Sequence, residues 1–227
     1  MVQTIVTQVE FECDAVLFDL DGVLVDSIEC IERIWHEWAT KHKINYTELM
    51  KVAHGRRTVE TVRLIAPHLD PDEELEALEG EESTSLEGVR KIDGAVALLQ
   101  ALPETNWAVV TSGSRRTATA RIKFAGLPMP RVLVTSDDVE RGKPAPDAYL
   151  LAATKLQIAP QHCLVIEDAP AGIKAAHAAS MPAIAIATTY QREDLAEADA
   201  IAMRLTDIEI KMHSESKPYR FVVRVKR

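Results

Sequence analysis

Two aspartates follow a short apolar run near the start of the chain and could act together on one substrate. The apolar run covers residues 15–18, and Asp19, Asp21 and Gly22 come directly after it. In a strand, residues two positions apart point to the same face, so both carboxylates would leave the strand end side by side. Such a pair can divide nucleophilic attack and proton transfer between its members, with a divalent cation relieving their repulsion. A strand that ends in an ordinary Asp-Gly turn contains the same residues, so the pair alone does not distinguish a catalytic site from a turn.

Three further segments carry residues suited to holding phosphate or a metal ion. Residues 111–114 (Thr-Ser-Gly-Ser) end an apolar run before a helical pattern, and such a turn can present backbone N–H groups to phosphate. Lys143 lies in a loop between glycine and proline. Glu167 and Asp168 end a third apolar run, and carboxylate oxygens are the ligands that Mg²⁺ prefers. Each segment alone is a modest signal, but together they supply a nucleophile, a proton carrier, a cation and a metal site.

The composition is that of an acidic globular protein. The 227 residues include 26 Lys and Arg against 35 Asp and Glu, a formal net charge of −9. This balance argues against nucleic acid as a partner and against attachment to a membrane surface through basic residues. The three cysteines are far apart and form neither a disulfide framework nor a zinc motif. No signal peptide and no membrane-spanning apolar run is recognised, so we expect a cytoplasmic protein.

Short apolar runs alternate with helical patterns along most of the chain. Strands are predicted at 15–19, 107–111, 132–135, 163–167, 183–187 and 200–203, and helices at 94–101, 115–125, 146–156, 170–180 and 191–197. This alternation, with strands apolar throughout, is typical of a parallel sheet covered by helices on both faces. We therefore predict an α/β fold with a doubly wound, Rossmann-like core. Ligands of such sheets bind at the carboxyl ends of the strands, where the candidate residues lie.

A long interval after the first strand interrupts this alternation and is predicted to form an all-helical cap. Asp26 and Ser27 indicate a capped helix start, and further helical patterns follow at 58–66 and 72–83. The last pattern and the residues before it are rich in acids that we expect to form a solvated face: Asp70, Asp72, Glu73, Glu74, Glu76, Glu79, Glu81 and Glu82. The connections near 24–27 and 90–94 would act as hinges.

The predicted organisation is a catalytic core of residues 1–26 and 92–205, a cap of residues 27–91 and a C-terminal segment of residues 206–227. Within that last segment, 208–212 and 221–225 alternate or run apolar, which is the pattern of a β-hairpin. Addition to the sheet edge and self-association are both open roles for this hairpin. We expect a monomer or a weak homodimer.

Taken in order, the four segments resemble the motifs of the haloacid dehalogenase-like hydrolases. The first motif is matched by residues 19–27 (Asp-Leu-Asp-Gly-Val-Leu-Val-Asp-Ser), with Val23 where the family usually has threonine. Residues 111–113, Lys143 and the pair 167–168 match the remaining three motifs. A receiver-type signalling domain carries a comparable set of residues, but it does not need the long helical interval after the first strand.

The resemblance implies a Mg²⁺-dependent phosphohydrolase. Asp19 would attack phosphorus and carry the aspartyl-phosphate, while Asp21 would protonate the leaving oxygen and later deprotonate the hydrolytic water. Mg²⁺ would be held by Asp19, the main-chain carbonyl of Asp21 and Asp168, with Glu167 bound directly or through water. These residues make up the expected catalytic and metal-binding set.

The resemblance also implies which residues hold the substrate. Phosphate oxygens would be bound by Ser112, the Gly113 amide and Lys143. From the cap, substrate contacts are expected from His54, Arg56 and Arg57, which resemble the cap motif of sugar- and polyol-phosphate phosphatases. The likeness is greatest to bacterial hexitol and sugar phosphatases, then to fungal glycerol-3-phosphate and 2-deoxyglucose-6-phosphate phosphatases. The expected substrate is therefore a small phosphorylated sugar or polyol.

Three alternative functions share part of this pattern. A phosphosugar mutase related to β-phosphoglucomutase uses the same catalytic set but protects its aspartyl-phosphate from water. A hydrolytic dehalogenase has no need of Asp21 or of a metal, so the two complete acidic pairs count against it. A non-catalytic binding module on this fold would bind Mg²⁺ and a sugar phosphate without turning the phosphate over.

Overall fold

The computed structural model describes residues 9–53, 55–214 and 219–226, and strands alternate with helices along most of this length. The strands are β1 (Val9–Cys13), β2 (Ala15–Phe18), β3 (Val25–Asp26), β4 (Arg90–Lys91), β5 (Trp107–Val110), β6 (Leu133–Val134), β7 (Cys163–Glu167), β8 (Ala183–Ile186), β9 (Ala200–Ala202), β10 (Ile208–Ser214) and β11 (Arg220–Val225). The helices are α1 (Ile28–His42), α2 (Tyr46–Ala53), α3 (Thr58–Ile65), α4 (Pro71–Thr84), α5 (Ala95–Gln100), α6 (Arg115–Phe124), α7 (Asp147–Leu156) and α8 (Pro170–Ala178).

The main sheet is parallel and has the strand order β6-β5-β2-β7-β8-β9. Strand β2 lies between β5 and β7. From β2 the chain adds β5 and β6 on one side, and it then returns to add β7, β8 and β9 on the other side. Such a reversal of strand order opens a crevice at the carboxyl ends of the strands. The predicted motif residues follow β2, β5 and β7 directly and therefore lie at this crevice.

Helices cover both faces of this sheet, which confirms the predicted doubly wound fold. Every residue of β2 is buried, and its side chains alternate between two apolar clusters. Val16 and Phe18 pack on the face covered by α5 and α6, while Ala15 and Leu17 pack on the face covered by α7 and α8. A strand buried on both faces is apolar at each position, which is why these runs were recognisable in the sequence.

The predicted helix at 191–197 is wrong, because this segment forms turns. Its backbone hydrogen bonds join residues only three apart, from the Asp194 amide to the Gln191 carbonyl and from the Leu195 amide to the Arg192 carbonyl. Leu195 is buried, and a turn suffices to bring it into the core. Helices in proteins are stabilised mainly by packing an apolar face, and among residues 191–197, all of them described, only Leu195 is buried.

Helices α1 to α4 form the interval between β3 and β4, and together they are called the helical insert below. Strands β3 and β4 pair antiparallel, so both connections to the insert run side by side. The Arg90 guanidinium binds the Asp26 carboxylate across this pair, with Nη2 2.7 Å from Oδ2. Within α1, Trp35 and Trp38 are buried and meet edge to face. The expectation of a wholly solvated acidic face on α4 is wrong at Glu82, which is only 5% exposed.

The C-terminal strands β10 and β11 form the predicted hairpin, although its connecting residues 215–218 lie outside the described part of the chain. The hairpin does not extend the main sheet. Strand β1, which the sequence analysis did not predict, pairs with β11 to complete a separate antiparallel sheet of order β1-β11-β10. The segment around Val9 therefore pairs with the C-terminal segment, and the alternation of Val9, Phe11 and Cys13 is the pattern that could have indicated this strand.

Among the described residues, no helix combines the length and the apolar character needed to cross a membrane.

Candidate active site

The residues that follow β2, β5 and β7 meet the helical insert around one small cavity of about 70 Å³. The core contributes acids and hydroxyls to its wall, and the insert contributes apolar and charged side chains. The described residues that line it include Asp19, Asp21, Thr111, Ser112, Gly113, Arg121 and Asp168 from the core, and Ile28, Ile31, Trp35, Arg56 and Glu82 from the insert. The strand ends thus bring together segments that are far apart in the sequence.

Lys143 is buried among the carboxylates. Its Nζ lies 2.5 Å from Asp19 Oδ1 and 2.5 Å from Glu167 Oε1, and it stands 5.4 Å from the centre of the Tyr149 ring. Burial opposes its positive charge, but the carboxylates of Asp19 and Glu167 hold the pKa of Lys143 above its ordinary value. The side chain is therefore a fixed cation beside the candidate nucleophile.

Glu167 anchors this arrangement through both of its oxygens. Oε1 accepts hydrogen bonds from Lys143 and, at 2.7 Å, from the Tyr149 hydroxyl. Oε2 accepts from the backbone amides of Asp168 and Ala169 at 3.0 and 3.2 Å. A Cβ on Gly172 would overlap the Glu167 carboxylate, so α8 needs glycine there. Glu167 accordingly positions Lys143 and the loop that carries Asp168.

Three buried carboxylates form a group that fits a divalent cation. Asp19, Glu167 and Asp168 each offer an oxygen, and these atoms lie within 4.8 Å of one another. Burial raises the pKa of Asp19 to about 7, with Lys143 opposing the shift and Glu167 adding to it. Burial and the neighbouring Glu167 likewise raise the pKa of Asp168 well above its ordinary value. One lysine against three carboxylates leaves negative charge to be compensated, and an all-oxygen site suits a hard cation.

Asp21 has different partners from Asp19 and lies outside this carboxylate group. Its Oδ1 accepts a hydrogen bond from the Ser27 hydroxyl at 2.5 Å and lies 3.0 Å from Arg121 Nη1. Ser27 precedes α1 but makes no capping hydrogen bond, because its hydroxyl is directed to Asp21. Gly22 follows with φ of 80°, and a side chain there would overlap the Asp168 carboxylate. The tight turn thus separates the two aspartates into two environments.

The turn after β5 lines the same cavity through Thr111, Ser112 and Gly113. The Ser112 hydroxyl donates to the Gly55 carbonyl of the insert at 2.8 Å, and the Gly113 amide donates to the Thr111 hydroxyl at 3.1 Å. Ser114 caps α6 by accepting a hydrogen bond from the Thr117 amide. The turn and the start of α6 therefore present polar groups suited to an anion at the cavity wall.

The insert residues predicted to contact substrate take different places. Arg56 lines the cavity, and its buried Nε has no hydrogen-bond partner among the residues that the structure describes. Arg57 lies outside the described residues of the cavity wall, and its Nη1 donates to the Glu140 carbonyl of the core at 2.7 Å. His54 lies outside the described part of the chain.

Several residues of this site were not predicted from the sequence. Thr189 donates through its hydroxyl to Asp168 Oδ2, and Tyr149 binds Glu167 as described above. Arg121 on α6 and Glu82 on α4 are both buried at the cavity. A signal existed for Arg121, because it occupies a position of the buried stripe of α6 that otherwise holds small or apolar residues. Glu82 had no such signal among the neighbouring acids.

These features define an α/β enzyme with buried acids and a buried lysine at the strand ends, beside the Thr111–Ser114 turn. Residues 13–180 match the family model described as haloacid dehalogenase-like hydrolase, and the chain belongs to this family. Hexitol phosphatase A of Escherichia coli is 43% identical over 207 residues, with 89% of this chain and 91% of that protein covered. The 2-deoxyglucose-6-phosphate phosphatase 1 of Saccharomyces cerevisiae is 33% identical over 231 residues, with coverage of 91% and 94%.

A solved structure gives the same assignment. A hydrolase from Pseudomonas syringae superposes with a TM-score of 0.75 at 28% identity, over 86% of this chain and 95% of that one. The resemblance stated from the sequence motifs is therefore confirmed at the level of the family.

Proposed function

We propose that this protein is a Mg²⁺-dependent phosphatase that hydrolyses small sugar or polyol phosphates through an aspartyl-phosphate. The observation that carries this proposal is one cavity lined by Asp19, Asp168 and the Ser112–Gly113 turn, with the buried Lys143 ammonium in contact with Asp19. Its relatives named as hexitol and 2-deoxyglucose-6-phosphate phosphatases support the same chemistry and the same substrate class.

Asp19 is the nucleophile in this mechanism. One carboxylate oxygen forms a bond to phosphorus as the bond between phosphorus and the sugar oxygen breaks, which leaves an aspartyl-phosphate. Burial raises the pKa of Asp19 to about 7 even with the Lys143 ammonium beside it, and that ammonium opposes the shift and so favours the reactive anion. Lys143, Ser112 and the Gly113 amide hold the phosphate oxygens and oppose the charge that builds on them.

Asp21 moves the protons. In its acid form it protonates the departing sugar oxygen, and as the resulting carboxylate it takes a proton from the water that attacks the aspartyl-phosphate. Phosphate then leaves and Asp19 is restored. Ser27 and Arg121 bind the Asp21 side chain, which lies outside the cluster of Asp19, Glu167 and Asp168. The proton carrier is thereby kept distinct from the nucleophile.

The cluster of three buried carboxylates would hold the metal ion. Asp19 and Asp168 supply side-chain oxygens, the Asp21 main-chain carbonyl is a further proposed ligand, and Glu167 acts directly or through water. Bound there, Mg²⁺ supplies positive charge that offsets the repulsion between an anionic nucleophile and an anionic phosphoester. The donor set supports the proposal because oxygen-only ligands are typical of Mg²⁺ sites.

The division into a catalytic core and a substrate-covering cap is part of the proposal. We expect Arg56 to reach substrate because it lines the cavity, whereas Arg57 holds the insert on the core at Glu140. The acidic net charge of −9 supports a protein that works without nucleic acid or membrane. We further propose a cytoplasmic monomer or weak homodimer.

The experiment is to measure phosphate release from a panel of sugar, polyol and glycerol phosphates, with Mg²⁺ or with EDTA. The proposal predicts metal-dependent release that favours some polyhydroxylated esters and is abolished in Asp19→Asn. The panel includes β-glucose 1-phosphate, because its conversion to the 6-phosphate without phosphate release would instead identify a mutase. Release that persists in EDTA or in Asp19→Asn would overturn the mechanism.

A further inference from the structure

An arginine of the core is buried at the cavity with unused hydrogen-bond donors. Arg121 is 2% exposed, and its Nη1 binds Asp21 Oδ1 at 3.0 Å. Its Nε and Nη2 have no hydrogen-bond partner in the described part of the chain, although Nη2 lies 3.5 Å from Glu82 Oε2. A buried donor without an acceptor destabilises the fold, so donors that are kept in this state usually bind an acceptor on a ligand or a water molecule.

Glu82 supplies the matching acceptor from the insert. It is 5% exposed and lines the same cavity as Arg121, Asp19 and Ser112. A hydroxyl group both donates and accepts hydrogen bonds, so it can satisfy a guanidinium N–H and a carboxylate oxygen at once. The apolar side chains of Ile28, Ile31 and Trp35 on the insert suit the carbon-bound hydrogens of such a ligand.

The position of Arg121 relative to Asp21 says where on the substrate this contact falls. In the proposed mechanism Asp21 protonates the leaving oxygen of the phosphoester, and Arg121 lies between Asp21 and Glu82, with Nη1 3.0 Å from Asp21 Oδ1 and Nη2 3.5 Å from Glu82 Oε2. A ligand group that meets Arg121 and Glu82 would therefore be close to the group that Asp21 protonates, which is the leaving-group side of the phosphoester. A polyol or sugar carries hydroxyls on the carbons there, whereas a simple alkyl ester carries none.

We propose that Arg121 of the core and Glu82 of the insert form the subsite that recognises hydroxyl groups on the leaving group, close to the phosphoester. This inference rests on the proposed function and narrows its substrates to esters with hydroxyls near the phosphorylated carbon. Because one partner belongs to α6 and the other to α4, recognition requires the insert to be in place over the core. Specificity is thus shared between the two parts of the chain.

The test compares two esters of equal carbon number, a hexitol 6-phosphate and n-hexyl phosphate. For Glu82→Leu we expect kcat/KM on the hexitol ester to fall about 100-fold and that on the hexyl ester to change less than about 3-fold, because a buried hydroxyl loses its acceptor only in the first case. Glu82→Gln keeps an acceptor oxygen but loses the charge, and it should lose about 3- to 10-fold on the hexitol ester and almost nothing on the hexyl ester. Glu76→Leu, at an exposed position of the same helix, is the control and should match the parent protein.

Equal losses on both esters in Glu82→Leu, or no loss on either, would overturn the subsite. If Glu82→Leu does not fold, Glu82→Gln decides, since an unchanged ratio of the two kcat/KM values then overturns it. If the parent protein hydrolyses neither ester with Mg²⁺, the proposed function fails, and the subsite is judged by calorimetric Kd values. A selective loss of hexitol 6-phosphate binding in Glu82→Leu would still support it, and equal binding would refute it.

Discussion

Lys143→Met is expected to destabilise the fold most at the pH where the neighbouring carboxylates are charged. The Lys143 ammonium lies 2.5 Å from Asp19 Oδ1 and 2.5 Å from Glu167 Oε1, and the side chain is 2% exposed. Methionine fills a similar volume without a charge. The substitution therefore removes the cation while leaving the packing around Tyr149 and Val110 largely intact.

The magnitude follows from the charges left behind. Removing one partner of a buried ion pair costs about 3–5 kcal/mol, because the other partner stays buried and unpaired. Asp19, Glu167 and Asp168 are all buried here, so we expect the free energy of unfolding to fall by about 3–5 kcal/mol near pH 8 without metal. That loss is a large share of the roughly 5–15 kcal/mol that stabilises a typical domain.

The destabilisation caused by Lys143→Met should increase with pH. The pKa of Asp19 is raised to about 7 in the folded protein, so its neutral form is favoured there relative to the unfolded chain. A raised acid contributes stability at low pH that is lost as pH rises through that value. Without Lys143 the pKa of Asp19 rises further, so the cost of Lys143→Met should shrink toward about pH 5 and grow toward about pH 8.

The assay is urea unfolding in EDTA at both pH values, with kcat measured separately in Mg²⁺. Lys155→Met is the matched control, because Lys155 lies 3.3 Å from Asp138 in a partly exposed pair and should cost less than about 1 kcal/mol. We also expect Lys143→Met to lose nearly all phosphatase activity. A destabilisation equal to that of Lys155→Met, or one that does not change with pH, would refute the account of the buried carboxylates.

Three further predictions follow from the same geometry. Mg²⁺ affinity, measured by calorimetry, should fall at least about tenfold per pH unit below the Asp19 pKa of about 7, because protons compete for Asp19 and for Asp168, whose pKa is also raised; constant affinity from about pH 5 to 8 would contradict this. Gly172→Ala should lower the thermal midpoint and the activity together, because the added Cβ overlaps Glu167, and unchanged values would contradict that placement. Arg57→Ala should lower kcat/KM for polyol and aryl phosphates by similar factors, since Arg57 binds the Glu140 carbonyl; a loss confined to polyol phosphates would instead place Arg57 at the substrate.

Most of the fold was predictable because its strands are buried on both sides. The runs that became β2, β5, β7 and β8 are apolar at each position, so they stood out between the helical patterns. Strand β1 was missed because it is only partly buried, has glutamates between its apolar residues, and pairs with β11 at the far end of the chain. The turn at 191–197 was mistaken for a helix because local pattern does not reveal which backbone hydrogen bonds a short segment will make.

Site residues were predictable only where a charged or polar residue follows an apolar strand or lies in a short motif loop. Asp19, Lys143 and Asp168 were named from the sequence, and the structure places them together, with the Asp19 and Lys143 side chains in contact. Arg121 and Glu82 were not, because their burial depends on how α6 of the core meets α4 of the insert. The buried stripe of α6 could indicate that Arg121 is buried but not that it meets Glu82, and Glu82 stands among similar acids in α4.

The most direct test of the central claim is to find the atom that carries the phosphoryl group. The protein is mixed with a hexitol 6-phosphate and Mg²⁺, quenched rapidly in acid and treated with borohydride, which reduces an aspartyl-phosphate to homoserine. Peptide mass spectrometry should find homoserine at position 19 and unmodified aspartate at position 21. Homoserine at Asp21, or modification at neither aspartate during active turnover, would contradict nucleophilic catalysis by Asp19.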